Sequence, residues 1–212
     1  DRPHGHGLYV QNSTGVKLLQ ENVIHDNFGQ GMQVYGTSGT QLRNIKVIGN
    51  IVFENGSLTS NFSRNMLIGG TTPIVDSEVR ENFSSYMYWG DNVNLGYFNS
   101  GAGCQNMAFA NNVVSGGTFS VQNCQFSQMA NNTVDAELRP LARTSFPANR
   151  WGVQTGLTVQ VRPNKYEAGR ANIVIFNWSS QSSVSVDLSP AGLTLGERYE
   201  IRNAQDPADV IS

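Results

Sequence analysis

Hydrophobic positions along this chain come in short pairs, each closed by a polar turn. Asn22-Val23-Ile24-His25-Asp26-Asn27 is echoed by Asn50-Ile51-Val52-Phe53-Glu54-Asn55. Glu81-Asn82-Phe83, Asn111-Asn112-Val113-Val114 and Asn131-Asn132-Thr133-Val134 continue the series. With Asn22, Asn50, Asn82, Asn112 and Asn132 as position zero, Leu19, Val47, Val79, Phe109 and Met129 fall three residues earlier. Ile24, Val52, Ser84, Val114 and Val134 fall two residues later. Alternate residues of a strand share a face, so an odd separation requires a bend between the first two sets. Gly49, Asn111 and Asn131 stand where that bend must be. The pattern predicts a repeat of roughly 20–30 residues built from stacked parallel strands. The recurring Asn is an inward ladder whose amides bond the turn backbone and the next Asn.

A second strand leads out of each turn. Leu8/Val10, Met32/Val34, Met66/Ile68, Val93/Leu95 and Phe119/Val121 should face in, leaving Tyr9, Gln33, Leu67, Asn94 and Ser120 as an outward column. Eight residues before the ladder Asn the inward column reads Leu42, Ile74, Cys104, Cys124. That stacks the two cysteines one strand spacing apart, about 4.8 Å, which a disulfide tolerates. Buried thiols and a covalent staple are both open readings; a catalytic cysteine is disfavoured. Residues 56–64 and 84–92 read as longer insertions, the second carrying Tyr86, Tyr88 and Trp89.

After Asp135 the pattern changes. Residues 1–136 are assigned to the stacked coils, 137–155 to a linker containing Pro140 and Pro147, and 156–212 to an incomplete antiparallel β module. Its expected strands are 157–161, 171–178, 184–188 and 198–202. The expected fold is therefore all-β: a parallel β-helix, or solenoid, followed by a small antiparallel β domain.

Composition narrows the chemistry. Hydrophobic residues are 39% and charged residues 14%, with 22 glycines. Such a chain favours tight turns over helices. A net charge of −2 provides no basic field for nucleic acid. No apolar run approaches the ~18 residues that span a bilayer. The abrupt start at Asp1-Arg2-Pro3 and the stop at Asp209-Val210-Ile211-Ser212 lead us to expect a piece of a longer protein.

The Asn-anchored coils resemble the right-handed parallel β-helix repeats of the pectate-lyase-like superfamily. Arg162 to Ala171, Asn177-Trp178 and Tyr199 to Asp206 look like the β-sandwich-like module that follows such helices in bacterial proteins. The resemblance implies a secreted or cell-surface protein that binds a polysaccharide and cleaves it by lyase or glycoside hydrolase chemistry. A fold of this kind hosts many activities, so a non-catalytic adhesin, fibre or structural surface protein is the alternative.

Candidate chemistry is sparse. His6 and His25 are candidate acid/base groups; Asp26 and Glu54, in register on consecutive coils, are candidate acids or Ca²⁺ ligands. His4 and His6 flank Gly5 and are candidate ligands for another divalent metal. Tyr9, Tyr35, Tyr86, Tyr88 and Trp89 are candidates for stacking on sugar rings, and Arg80 for neutralising an acidic one. The oligomeric state is not legible.

Overall fold

The computed structural model describes residues 4–37, 39–58, 64–97 and 103–211. The chain divides into two compact units, Asp1–Val153 and Gln154–Ser212. No α-helix occurs among the described residues.

The first unit is built from rungs, and each strand pairs in parallel with its counterpart one rung on. The first column runs Leu8–Val10, Met32–Val34, Arg64–Ile68, Asp91–Leu95 and then the later half of Val113–Val121. The second is short: Asn12, Leu42–Arg43, Ile74–Val75, Cys104, Cys124. The third is Lys17–Gln20, Ile45–Ile48, Glu78–Arg80 and the ends of Cys104–Ala110 and Cys124–Ala130. The fourth follows the repeated Asn: Val23–His25, Ile51–Phe53, Phe83–Ser85, Val113–Val121, Thr133–Arg139 and Arg150–Trp151. Long strands carry the fourth column into the first, giving one ten-stranded sheet, while the second and third columns form a seven-stranded one.

A single left-handed residue makes each corner before the repeated Asn. Glu21, Gly49, Glu81, Asn111 and Asn131 have φ between 56° and 71°. Asn44, Asp76 and Asn106 do the same between the second and third columns, with φ of 51–54°. The Asn ladder holds these corners in step. From Asn22 through Asn50, Asn82, Asn112 and Asn132 to Asn149, the backbone N–H and Nδ2 of each donate to the Oδ1 of the next, at 2.7–3.1 Å. The other Nδ2 hydrogen is absorbed by a backbone carbonyl, as from Asn82 to Val47 O and from Asn112 to Val79 O. From Asn50 to Asn149 the side-chain oxygen and nitrogen of each buried amide are thereby satisfied, which a buried polar group requires.

The ladder reaches Asn149, inside the segment expected to be a linker. Residues 137–139 extend the strand Thr133–Arg139, and Arg150–Trp151 pairs with that strand. Most of 137–155 is thus a further partial rung of the first unit, because Asn149 and Trp151 repeat the Asn-plus-apolar pattern that Pro140 and Pro147 obscured.

A second Asn ladder runs along another corner. Asn27 donates to Asn55, Asn55 to Asn65 and Asn65 to Asn92, at 2.8–3.2 Å. Asn27 and Asn55 stand in turns, whereas Asn65 and Asn92 open strands. The crossing is accommodated at Gly31, where a Cβ would lie 2.6 Å from Asn55 Nδ2.

The core lies inside the rungs, with Met32, Met66, Val93 and Phe119 facing Val47, Val79 and Phe109. Each fully buried apolar side chain of this size contributes about 1.5–3 kcal/mol. Leu42, Ile74, Cys104 and Cys124 stack as the sequence predicts, and the cysteines form a disulfide with Cα atoms 4.2 Å apart.

The second unit contains two antiparallel pairs, Leu157–Pro163 with Ala171–Asn177 and Ile201–Arg202 with Val210–Ile211. The strand expected at 184–188 is absent and that at 198–202 shrinks to two residues. Asp187 explains the first loss: its carboxylate accepts from Ser189 N and Oγ, starting the 3₁₀ turn Ser189–Ala191 where pairing was expected. Among the described residues of this unit only Val161 and Phe176 are buried hydrophobics.

Candidate functional site

Two places in the first unit collect the expected chemistry. The first is the corner after the fourth column. Asp26 and Glu54 both adopt left-handed φ, 50° and 51°, and close the successive strands Val23–His25 and Ile51–Phe53. His25 Nδ1 lies 2.8 Å from Asp26 Oδ2, and the His25 ring stacks on Phe53 with centroids 4.9 Å apart. Glu54 Oε1 accepts from the Met87 N–H at 2.9 Å, while its Oε2 is buried with no hydrogen-bond partner. Burial pushes the Glu54 carboxyl above the usual carboxylate range and the Asp26 charge adds to this, against the pull of the Met87 N–H. The corner therefore pairs a carboxyl whose pKa burial raises with a second carboxyl next to an imidazole. Asp26 and Glu54 close consecutive in-register strands, and His25 lies against Asp26.

His6 is not part of that group. Its Nδ1 accepts from the Gln30 N–H at 3.0 Å, which leaves the proton of the neutral ring on Nε2. Burial, then His4, lowers its pKa. Its ring neighbours are His4 and Tyr9. With Nδ1 so engaged, His6 offers a metal one nitrogen at most. The Ca²⁺ reading fares no better, because Asp26 is engaged by His25 and one Glu54 oxygen by Met87, whereas Ca²⁺ takes six to eight oxygens. Among the described residues no three His, Cys, Asp or Glu side chains gather as ligands.

The insertion expected at 84–92 is a tighter loop, since Phe83–Ser85 and Asp91–Leu95 are strands. Trp89 is 95% exposed and Tyr88 is also open, but Tyr86 is only 1% exposed. Tyr86 N donates to Ser115 O and the side chain packs against Gly117, so this tyrosine is core and not a ligand platform. In the earlier insertion, residues 59–63 lie outside the described residues. Arg80 is placed apart from the aromatic loop. It lies on the third column, with Nε on Glu78 and Nη2 on Gln128. Lys46 first, and Arg80 after it, hold the Glu78 carboxyl below its usual range.

The second place is the outward face of the first column. Register aligns Tyr9, Gln33, Leu67, Asn94 and Ser120 on five successive rungs. At strand spacing this line is about 19 Å long. Tyr9 is exposed at one end, whereas Leu67, Asn94 and Ser120 are buried. Tyr35 meets Tyr97 edge to face, 5.2 Å between centroids; burial first, then Tyr97, raises the Tyr35 phenol pKa. Beside the line, Arg64 pairs with Asp91 one rung on, Nε to Oδ2 at 2.9 Å. The same carboxylate accepts from Asn94 Nδ2 and Ser120 Oγ, each at 3.0 Å. Arg64 and Asp91 were not among the expected site residues. Their signal in the sequence is slight: opposite charges that each precede an Asn at the start of equivalent strands, Arg64-Asn65 and Asp91-Asn92.

No family model, curated protein or solved structure matches this chain.

Proposed function

We propose that the stacked unit is a right-handed parallel β-helix of the pectate-lyase-like kind, and that it holds a polysaccharide along the outward face of its first column. The observation that carries this reading is the exposed Tyr9 at one end of that face, in register with the part-buried Gln33 of the next rung. An extended sugar chain offers ring faces and hydroxyls, and an exposed aromatic ring one strand spacing from an amide suits both. The Cys104–Cys124 bridge supports a place outside the cell, since disulfides persist in oxidising compartments.

Cleavage is the second reading, and Glu54 is the observation that favours it. A carboxyl whose pKa is raised by burial, beside a second carboxyl at Asp26, is the kind of pairing that glycoside hydrolysis uses. A purely adhesive β-helix accounts for the line but leaves that pair without a role.

Affinity electrophoresis against a panel of acidic and neutral polysaccharides tests the binding, with reducing ends and unsaturated-product absorbance followed in parallel. Retardation by at least one polysaccharide is expected, weakened roughly tenfold in Tyr9→Ala, about 1.4 kcal/mol. Unimpeded migration in every gel would sink the proposal. Reducing ends that persist in Glu54→Gln would remove the corner from catalysis.

A further inference from the structure

The ribbon of the second unit has two edges, and only one of them is guarded. Asn164 N donates to Arg170 O at 2.8 Å. Antiparallel bonding alternates, so Asn172, Val174 and Phe176 exchange bonds with Leu157–Pro163, while Ala171, Ile173 and Ile175 turn their N–H and C=O outwards. On the partner strand the outward groups belong to Leu157, Val159, Val161 and Pro163. Pro163 has no N–H to give, and Val161 O already accepts from Gln160 Nε2 at 3.2 Å. An edge with a proline and an occupied carbonyl resists further pairing. Ala171–Asn177 has no such guard: it contains no charge, proline or glycine. Among the described residues, the outward backbone of Ile173 and Ile175 has no partner.

Shape and charge say what covers this edge. Ile175 is 43% exposed. Ile173, on the same face of the strand, lines an open groove of about 630 Å³ together with Leu188, Leu193 and Ile201. No residue of Leu157–Pro163 lines that groove, so it lies towards the unguarded side. A two-fold axis through Val174 sets the strand antiparallel to a second copy of itself. Ile175 of each copy then stands opposite the partner's Ile173, on the same face, and each exposed isoleucine enters the mouth of the other's groove. Each of these pairs exchanges two backbone hydrogen bonds. No like charges meet. The nearest charged residue, Arg170, falls opposite the partner's Trp178, a cation beside an aromatic ring. The two ribbons become one sheet of four strands, past the three that an independent sheet needs. We propose that this chain dimerises through antiparallel pairing of Ala171–Asn177 with the same strand of a second copy. The inference does not depend on the polysaccharide reading.

Sedimentation equilibrium of the intact chain tests it. The average mass should rise with concentration from 23.1 kDa towards twice that value. Ile175→Lys removes the inserted side chain and sets two cations near the axis. It should weaken the dimer at least about tenfold and leave circular dichroism unchanged, because the site is exposed. Both native cysteines are held in the disulfide, so Val174→Cys adds the only thiol. The axis places its two copies about 4.5 Å apart at Cα, within reach of a disulfide, and mild oxidation should yield a covalent dimer. Thr158→Cys, on the guarded strand, should not cross-link. If Ile175→Lys does not fold, the cross-link still decides. A mass of 23.1 kDa at every concentration overturns the proposal and leaves the edge to a strand of another protein. A dimer that Ile175→Lys leaves intact, or that Val174→Cys does not cross-link, overturns it too, since another face would then join the copies.

Discussion

Cys104–Ala110 and Ala171–Asn177 are both strands of seven residues, and the second, with two isoleucines, a valine and a phenylalanine, is the more hydrophobic. Yet five residues of the first are buried and only Phe176 of the second. Local composition does not explain the difference; neighbours do. Cys104–Ala110 has parallel partners on both edges and a disulfide, and its inward side chains face a second sheet across the core. Ala171–Asn177 pairs on one edge with one strand. An isolated two-stranded ribbon buries too little to be stable by itself. Its apolar side lines, with Leu188, Leu193 and Ile201, an open groove of about 630 Å³. Repetition, in this molecule, turns modest strands into a core, because each rung is covered by the next.

That contrast can be broken most directly at the amides. Asn82→Ala removes a side chain that accepts from Asn50 and donates to Val47, Arg80 and Asn112. It strands buried groups on both neighbouring rungs, and urea denaturation should report a loss of about 3–5 kcal/mol. Asn177→Ala in the second unit cuts only the exposed pair of bonds to Gln181. Its cost should stay under about 1 kcal/mol. Equal costs would mean that the ladder is not what separates the units.

The next largest effect is covalent. Cys104 and Cys124 are 20 residues apart, so the double alanine variant should lose about 3 kcal/mol by release of loop entropy. Hydrogen exchange should place the loss in the strands Cys104–Ala110 and Cys124–Ala130 and leave residues 157–177 unchanged. An equal change in both units would mean that they unfold as one.

The smallest effect separates two acids within the stack. The Glu54 carboxyl is raised, so the fold disfavours its ionised form and loses stability as pH rises through the carboxylate range. Glu54→Gln should match the wild type in acid and exceed it at neutral pH, by under about 1 kcal/mol because solvent screens a half-exposed group. Glu78 is lowered by Lys46, which reverses the sign: its stabilisation is present at neutral pH and lost in acid. Thermal melts of both Gln variants across pH should diverge in opposite directions.

Elements that repeat with constant chemistry were legible. The five-Asn ladder and the inward column ending in the two cysteines follow from residue spacing alone, as does the register of Tyr9, Gln33, Leu67, Asn94 and Ser120, but Leu67, Asn94 and Ser120 are buried where an outward face was expected. The second ladder was not, because its members are 28, 10 and 27 residues apart and shift from turns to strands midway. Tyr86 resembled its neighbours Tyr88 and Trp89, yet lies inside because a Gly116-Gly117 pair one rung on makes room for it. Arg64 and Asp91 were overlooked for a related reason. A charge pair formed across rungs, 27 residues apart, leaves only a slight signal in any short stretch of chain.

A corner made from one left-handed residue adds nothing to the circumference of a rung. Any longer connection is therefore an excursion that leaves and rejoins the stack at the same height, as the 86–90 loop does between Phe83–Ser85 and Asp91–Leu95. The vertical alignment is kept by amides that bond chiefly to one another and to the backbone, so excursions can lengthen, shorten or change sequence without displacing a strand. Such a body can vary its rim while its interior stays constant.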